Sequence, residues 1–271
     1  MGGRKTAGVV FSEAFDLIKR EYKALWIISL IMYGVQMVLG IVMSVFTAPF
    51  QFFSVFLGPM IDSMTRQGGY YGYGDMEQIL RAVLPAVGVF SALYLVIIAV
   101  SIMVSIAQGA AAIGANNATL QLLDGGKPRF EPVWKNFARN WKRYVGIVAW
   151  MTLWTTLWSL LFIVPGIVKG YSYRLAPYLV LEYPDMPVRD ALRKSMEMTQ
   201  GYKGRLFLLD LIRFAFGILS LLGLCLLFVG QIAIEVLWLL PLTYALFAIA
   251  YRDIKAAAIE KGILSTSQPL V

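Results

Sequence analysis

The chain has 271 residues, 59% of them hydrophobic and only 15% charged, against about 25% charged in an ordinary soluble domain; with a mean hydropathy of +0.68, it reads as a protein whose solvent is lipid. It has no histidine and one cysteine, which excludes histidine-dependent catalysis, an intrachain disulfide and a multi-cysteine metal site. The formal charge of +8 would suit nucleic acid in a soluble protein, but here the basic residues flank apolar runs, so they are read as setting orientation and meeting anionic headgroups.

In chain order, Phe11, Phe15, Ile18, Tyr22 and Leu25 recur at helical spacing opposite Glu13, Asp16, Lys19, Arg20 and Lys23. This pattern predicts an amphipathic helix over 10–22 lying along a membrane surface. Residues 24–61 carry no formal charge, and 24–46 alone exceed the roughly 20 residues that cross a hydrocarbon core, giving span one. That stretch is too long for a signal-peptide core and no compact cleavage pattern accompanies it, so no cleaved leader is expected. Residues 67–74, rich in glycine and tyrosine, read as an exposed outer loop. A second uncharged run, 82–123, gives span two over 83–106. In its continuation, Ala110 and Gly114 form a small-xxx-small pair that allows close helix packing.

The segment 124–128 reads as a turn. Beyond it Trp134, Phe137, Trp141 and Tyr144 interleave with Lys135, Arg139, Lys142 and Arg143. An aromatic face backed by cations predicts an interfacial helix over 131–143, with Trp134, Lys135, Arg139, Trp141, Lys142 and Arg143 contacting anionic lipid rather than nucleic acid. Span three covers 144–164 and ends at Pro165-Gly166. The next stretch, 166–182, is weakly apolar, holds Lys169 and Arg174 and is interrupted by Pro177. Charge parity decides its reading. If it does not cross, twelve Lys and Arg residues fall outside; if it does, nineteen lie inside and only Arg66 and Arg81 stay outside, as the positive-inside rule requires. It is therefore span four. An interfacial helix follows over 186–200, with Asp185 as N-cap and Gly201 as stop, then spans five (206–228) and six (232–251). Cys225, in the fifth, is read as packing. The expected fold is all-α: a polytopic transmembrane helical bundle of about six spans in one domain, 1–271, with both termini cytoplasmic and the cell membrane as its location.

Ionisable groups at membrane depth are costly and find partners or water. Lys169, Tyr171, Ser172, Tyr173, Arg174, Asp210, Arg213 and Glu235 are the candidates for a polar cleft that takes an amphiphile headgroup or an ion. The competing reading is structural ion pairing or snorkelling, with Asp210 and Arg213, three apart on one helix, as one such pair. No Walker A loop, zinc pattern or nucleophile elbow is present, so neither an enzyme nor a cofactor is expected.

Pro165-Gly-Ile-Val-Lys-Gly-Tyr-Ser-Tyr173, Ala176-Pro-Tyr178, Pro184-Asp185, Ala191-Leu192, Ser195, Met198, Gly201 and Arg205-Leu-Phe207 resemble the signature of domain of unknown function 975, and Trp238, Pro241 and Tyr251-Arg-Asp253 are similar to its closing segment. The likeness is specific over residues 145–255 and only general before them. It is looser toward the membrane domains fused to some glycerophosphodiester phosphodiesterases. The resemblance implies a bacterial, mainly Gram-positive, integral membrane protein with no agreed activity, so no catalytic residue carries over. The functional expectation is a non-enzymatic accessory or scaffold module for amphiphile handling or assembly with a membrane-protein partner. The alternative is a stand-alone transporter or channel with its pathway near span four.

Overall fold

The computed structural model describes residues 5–67, 73–126, 130–222 and 229–265, with side chains described chiefly over 5–48, 91–126, 139–218 and 232–265. The expected outer loop at 67–74 and Cys225 lie largely outside these. All secondary structure among the described residues is helical: α1 (Ala7–Gln67), α2 (Tyr73–Leu123), α3 (Phe130–Leu161), α4 (Ile163–Tyr173), α5 (Ala176–Glu182), α6 (Val188–Met198), α7 (Lys203–Leu222), α8 (Val229–Ile234), a π-helical turn (Glu235–Leu239) and α9 (Leu240–Glu260).

Among the described residues, four stretches are long and apolar enough to cross a membrane: Ala7–Ala48, Ser91–Leu123, Arg139–Leu161 and Ile232–Glu260. The expected spans 166–182 and 206–228 are not among them. The first is split between α4 and α5 at Arg174 and Leu175. The second lies on a helix carrying Lys203, Arg205, Asp210 and Arg213 and runs past the described residues. Two long helices bend where charged amphipathic sequence gives way to apolar sequence, α1 at Glu21 (φ −118°) and α3 at Asn140 (φ −115°).

The chain divides into two compact units, Val35–Gln108 and the remainder. In Val35–Gln108 the hydroxyls of Thr47 and Ser101 donate to the carbonyls of Met43 and Ile97, one turn earlier, so their polarity is satisfied within the helix as an apolar solvent demands.

In the other unit α9 is the centre. From Leu240 to Tyr251 every residue but Thr243 is buried, and they join one core with Val10, Ala14, Leu25, Ile113, Leu122, Leu179, Leu192 and Leu206. A helix apolar all round belongs in such a core. The opposite stretches of several helices are different. Large apolar side chains are exposed at Trp26, Ile27, Leu30 and Ile31 on α1, Leu153, Leu157, Leu160 and Leu161 on α3, Phe207, Leu211, Phe214 and Ile218 on α7, and Ile232, Leu237 and Trp238 before α9.

The turn from α3 to α4 corrects the expected break. Helix α3 stops at Leu161, Phe162 is extended (φ −156°, ψ 135°), and Pro165 sits inside the first turn of α4, where its missing N–H costs nothing. Close approach comes from Gly166: a Cβ there would lie 2.1 Å from Ser159 Oγ and 2.7 Å from Ser159 Cα. Further along, Gly170 faces Thr155, and Arg143 Nη2 lies 2.6 Å from the Tyr183 carbonyl. These pairings keep antiparallel register, so α4 and α5 return beside α3 along its whole apolar length.

Helix α6 starts after Pro187 rather than at an Asp185 cap, and Gly201 (φ 79°) provides the expected stop. Its face of Ala191, Leu192, Ser195, Met198 and Thr199 is buried in protein. Within the small-residue stripe on α2, Gly109 lies close against α3: a Cβ there would sit 2.5 Å from Val148 Cγ1.

Gly166→Ala is expected to lose about 1–3 kcal/mol by overpacking against backbone, whereas Gly146→Ala, with nothing within 4 Å, gains up to about 1 kcal/mol of helix propensity. Thermal unfolding of the two variants in mild detergent checks the opposite signs.

Candidate functional site

Of the eight cleft candidates, the structure brings three together. Arg174 sits at the junction of α4 and α5 and reaches Asp210 on α7 by a two-pronged pair, Nη1 to Oδ2 and Nη2 to Oδ1, each 3.0 Å. Its guanidinium lies 3.8 Å from the ring centroid of Phe247 on α9, and the Tyr171 side chain lies beside Asp210. A planar fork on a carboxylate, stacked on an aromatic face, is a strong arrangement for Arg. It also corrects the expected Asp210–Arg213 pair: Asp210 faces Arg174, and Arg213 is exposed.

The other candidates do not converge on this pair. Lys169 Nζ lies 5.2 Å from the Trp158 ring and 3.9 Å from Met196 Sδ. Ser172 donates to the Val168 carbonyl, and its own carbonyl accepts from Ser195 Oγ at 2.8 Å. Tyr173 is buried in the core. Glu235 opens the π-helical turn, and among the described residues no hydrogen bond or ion pair joins it to Arg174 or Asp210.

A second cluster was not anticipated. Glu182, the last residue of α5, accepts from Tyr251 Oη (2.5 Å), Arg252 Nη1 (2.8 Å) and Lys255 Nζ (2.5 Å), all on α9. The Glu182 and Lys255 side chains are only 10% and 7% exposed. Arg252 also reaches Asp124, at the end of α2, through Nη2 at 2.5 Å, and Tyr178 stacks on Tyr251 at 4.7 Å. Nearby, Arg205 at the start of α7 pairs with Asp253 and donates to the Lys5 carbonyl at 2.7 Å. The ends of α2, α5 and α9 and the starts of α1 and α7 therefore meet. One signal in the sequence marked the place: Tyr251, Arg252 and Lys255 fall three and four residues apart on one helix face, beside a carboxylate that closes an apolar run.

Among the residues read as meeting anionic lipid, Arg139, Trp141 and Lys142 are exposed, with Lys142 Nζ 6.0 Å from the Trp141 ring. Arg143 turns inward instead, holding the carbonyls of Tyr183 and Met186 at 2.6 Å each. Both carbonyls lie in the irregular stretch between α5 and α6, where the guanidinium supplies donors; the Tyr183 carbonyl also accepts from the Met186 N–H at 3.1 Å. The side chains of Trp134 and Lys135 lie outside the described residues.

Taken together, the described residues are all-helical where they have secondary structure, with four helices of membrane-crossing length and apolarity, and two groups of internal ion pairs, around Arg174 and around Glu182. Residues 78–258 match the family described as "Protein of unknown function (DUF975)". The chain belongs to that family, and the match reaches back along α2, well before the segment whose motifs carry the resemblance. No curated protein and no solved structure matches the chain.

Glu182→Ala leaves Lys255 buried without its carboxylate and is expected to cost about 3–5 kcal/mol. Asp124→Asn removes a partner that is 60% exposed and is expected to cost no more than about 1 kcal/mol. Unfolding midpoints in detergent measure both, and equal losses would contradict the ranking.

Proposed function

We propose that this chain is a non-enzymatic membrane module of six crossings, with both termini on the cytoplasmic side of the cell membrane, that assists a membrane process by handling amphiphiles or assembling a partner protein. The observation that carries the functional reading is the closed Arg174–Asp210 pair on Phe247. A conduction pathway keeps its ionisable groups facing water or a passing ion, whereas these two face each other. What remains for recognition is the outward surface, above all the exposed Arg139, Trp141 and Lys142, which suit anionic phospholipid headgroups.

Two observations support the topology. The in-register return of α4 and α5 beside α3 means that whatever depth α3 crosses, the return leg crosses too. The pairs that join Lys5, Asp124, Glu182, Arg205 and Asp253 into neighbouring clusters favour one side for both termini and for the segments at 124–139 and 183–205. The six crossings are then α1, α2, α3, α4 with α5, α7, and α8 with α9. The alternative, a stand-alone transporter or channel, draws on Glu235, because π-helical turns recur at functional sites.

In a Cys225→Ala background, single cysteines at Gly126, Asp185, Lys203 and Lys261 are expected to resist a membrane-impermeant maleimide in intact cells and to react in inverted vesicles. Labelling of Asp185Cys from outside overturns the topology. Proteoliposomes of the purified protein are expected to show no ion or anion flux above protein-free vesicles. A flux abolished by Arg174→Leu, in a variant that stays folded, would instead establish the transporter.

A further inference from the structure

Pro241 has a local consequence. Proline in a helix interior lacks an N–H and collides with the carbonyl four residues back, here that of Leu237. The chain relieves the collision by widening Glu235–Leu239 into a π-helical turn, in which the Leu240 N–H reaches back to the Glu235 carbonyl. Across from the widened turn, Ile18, Tyr22 and Trp26 recur every fourth residue along one face of α1, through the bend at Glu21. Between the two walls lies an open groove of about 210 Å³ lined by Ile18, Tyr22, Trp26, Leu237 and Pro241. Sites for drug-sized ligands run from about 300 Å³ upward, so this groove suits one slender apolar segment.

Its level in the fold and its rim narrow the occupant. On α1 large apolar side chains are exposed at Tyr22, Trp26, Ile27, Leu30 and Ile31, and before α9 Leu237 and Trp238 are exposed whereas Leu239 to Leu242 are buried. Tyr22 and Trp26 on its wall are residues of the kind that gather at headgroup depth. Lys23 Nζ lies 5.9 Å from the Tyr22 ring, and Lys19 Nζ lies 4.5 Å from the ring of Phe15, which stacks on Trp238. Both lysines are exposed, and neither pairs with a carboxylate among the described residues. Two exposed ammonium groups near an apolar slot, held over the rings of Phe15 and Tyr22, complement an amphiphile with an anionic head.

We infer that this groove binds one anionic phospholipid, with an acyl chain between α1 and the π-helical turn and its phosphate between Lys19 and Lys23. The inference rests on the amphiphile-handling reading and supplies its ligand class and site.

The test is native mass spectrometry of the full-length protein in mild detergent, titrated with phosphatidylglycerol or phosphatidylcholine of identical chains. The expected result is one phosphatidylglycerol retained in preference to phosphatidylcholine, undisplaced by inorganic phosphate. Leu237→Trp fills the groove, and Pro241→Ala removes the reason for the π-helical turn; each is expected to lower retention of both lipids. Lys19→Gln and Lys23→Gln each lower only the preference for phosphatidylglycerol, by about fivefold. Unfolding midpoints identify any variant that loses lipid by losing its fold, and because the two groove variants act differently, one folded variant suffices. Retention unchanged in a folded groove variant but lost in Arg139→Gln/Lys142→Gln overturns the groove while leaving the amphiphile reading intact. No lipid retained by the unmodified protein overturns both.

Discussion

Glu182 loses most of its water at the end of α5, and a carboxylate so placed persists only where cations replace the water. Arg252 and Lys255 supply the charge and the Tyr251 hydroxyl a third donor. All three come from α9, so neutralising one group fixes where α5 stops against the central helix. Arg252 extends the arrangement to Asp124 and the end of α2, and the neighbouring Arg205–Asp253 pair draws in α7 and the backbone at Lys5. The helices are long and apolar enough to slide past one another, because apolar packing by itself specifies axial position weakly. Charge pairs at one end supply the missing register.

The remaining polar groups follow the same economy at smaller scale. Hydroxyls at Ser29, Ser172 and Thr243 donate to carbonyls four residues earlier, which removes them from the list of groups needing an outside partner. Ser195 donates across to the Ser172 carbonyl, tying α6 to the end of α4, where the break at Arg174 disturbs the helical ladder. Arg143 serves the carbonyls of Tyr183 and Met186 beyond the end of α5. Each irregular joint in the α4–α6 region is thus repaired by a side chain from an element packed against it, and a joint buried among helices needs that repair because water cannot supply it.

The features legible in the sequence were those encoded locally. Apolar run length identified four helices that the structure also finds long and apolar enough to cross a membrane, and changes from amphipathic to apolar pattern marked places close to the bends at Glu21 and Asn140. Gly125 and Gly201, with φ of 76° and 79°, ended helices where the turn chemistry said they would. The partners of charged residues were not legible. Helical spacing offered Arg213 to Asp210, three residues away, but the carboxylate pairs with Arg174, 36 residues distant in sequence, because a rigid fork stacked on Phe247 outweighs a flexible neighbour on an exposed face. Glu182 was passed over for the same reason: its partners lie about 70 residues on, and composition gives no hint of which helix end will face it. The π-helical turn escaped as well, since its cause, Pro241, reads in sequence as an ordinary helix start.

On the proposed topology the basic residues divide by role. Counting all of them equally gives the orientation, because positive charge acts while segments insert and before tertiary partners exist. In the folded protein Arg143, Arg205, Arg252 and Lys255 are bound to carboxylates or carbonyls, so they no longer present free charge. Lys19, Lys23, Arg139, Lys142 and Arg189 remain exposed. On that topology the same excess of lysine and arginine would serve twice, first as a bulk signal for which way the chain enters, then as two separate sets. One set is spent on aligning helix ends; the other is left where anionic headgroups would meet it.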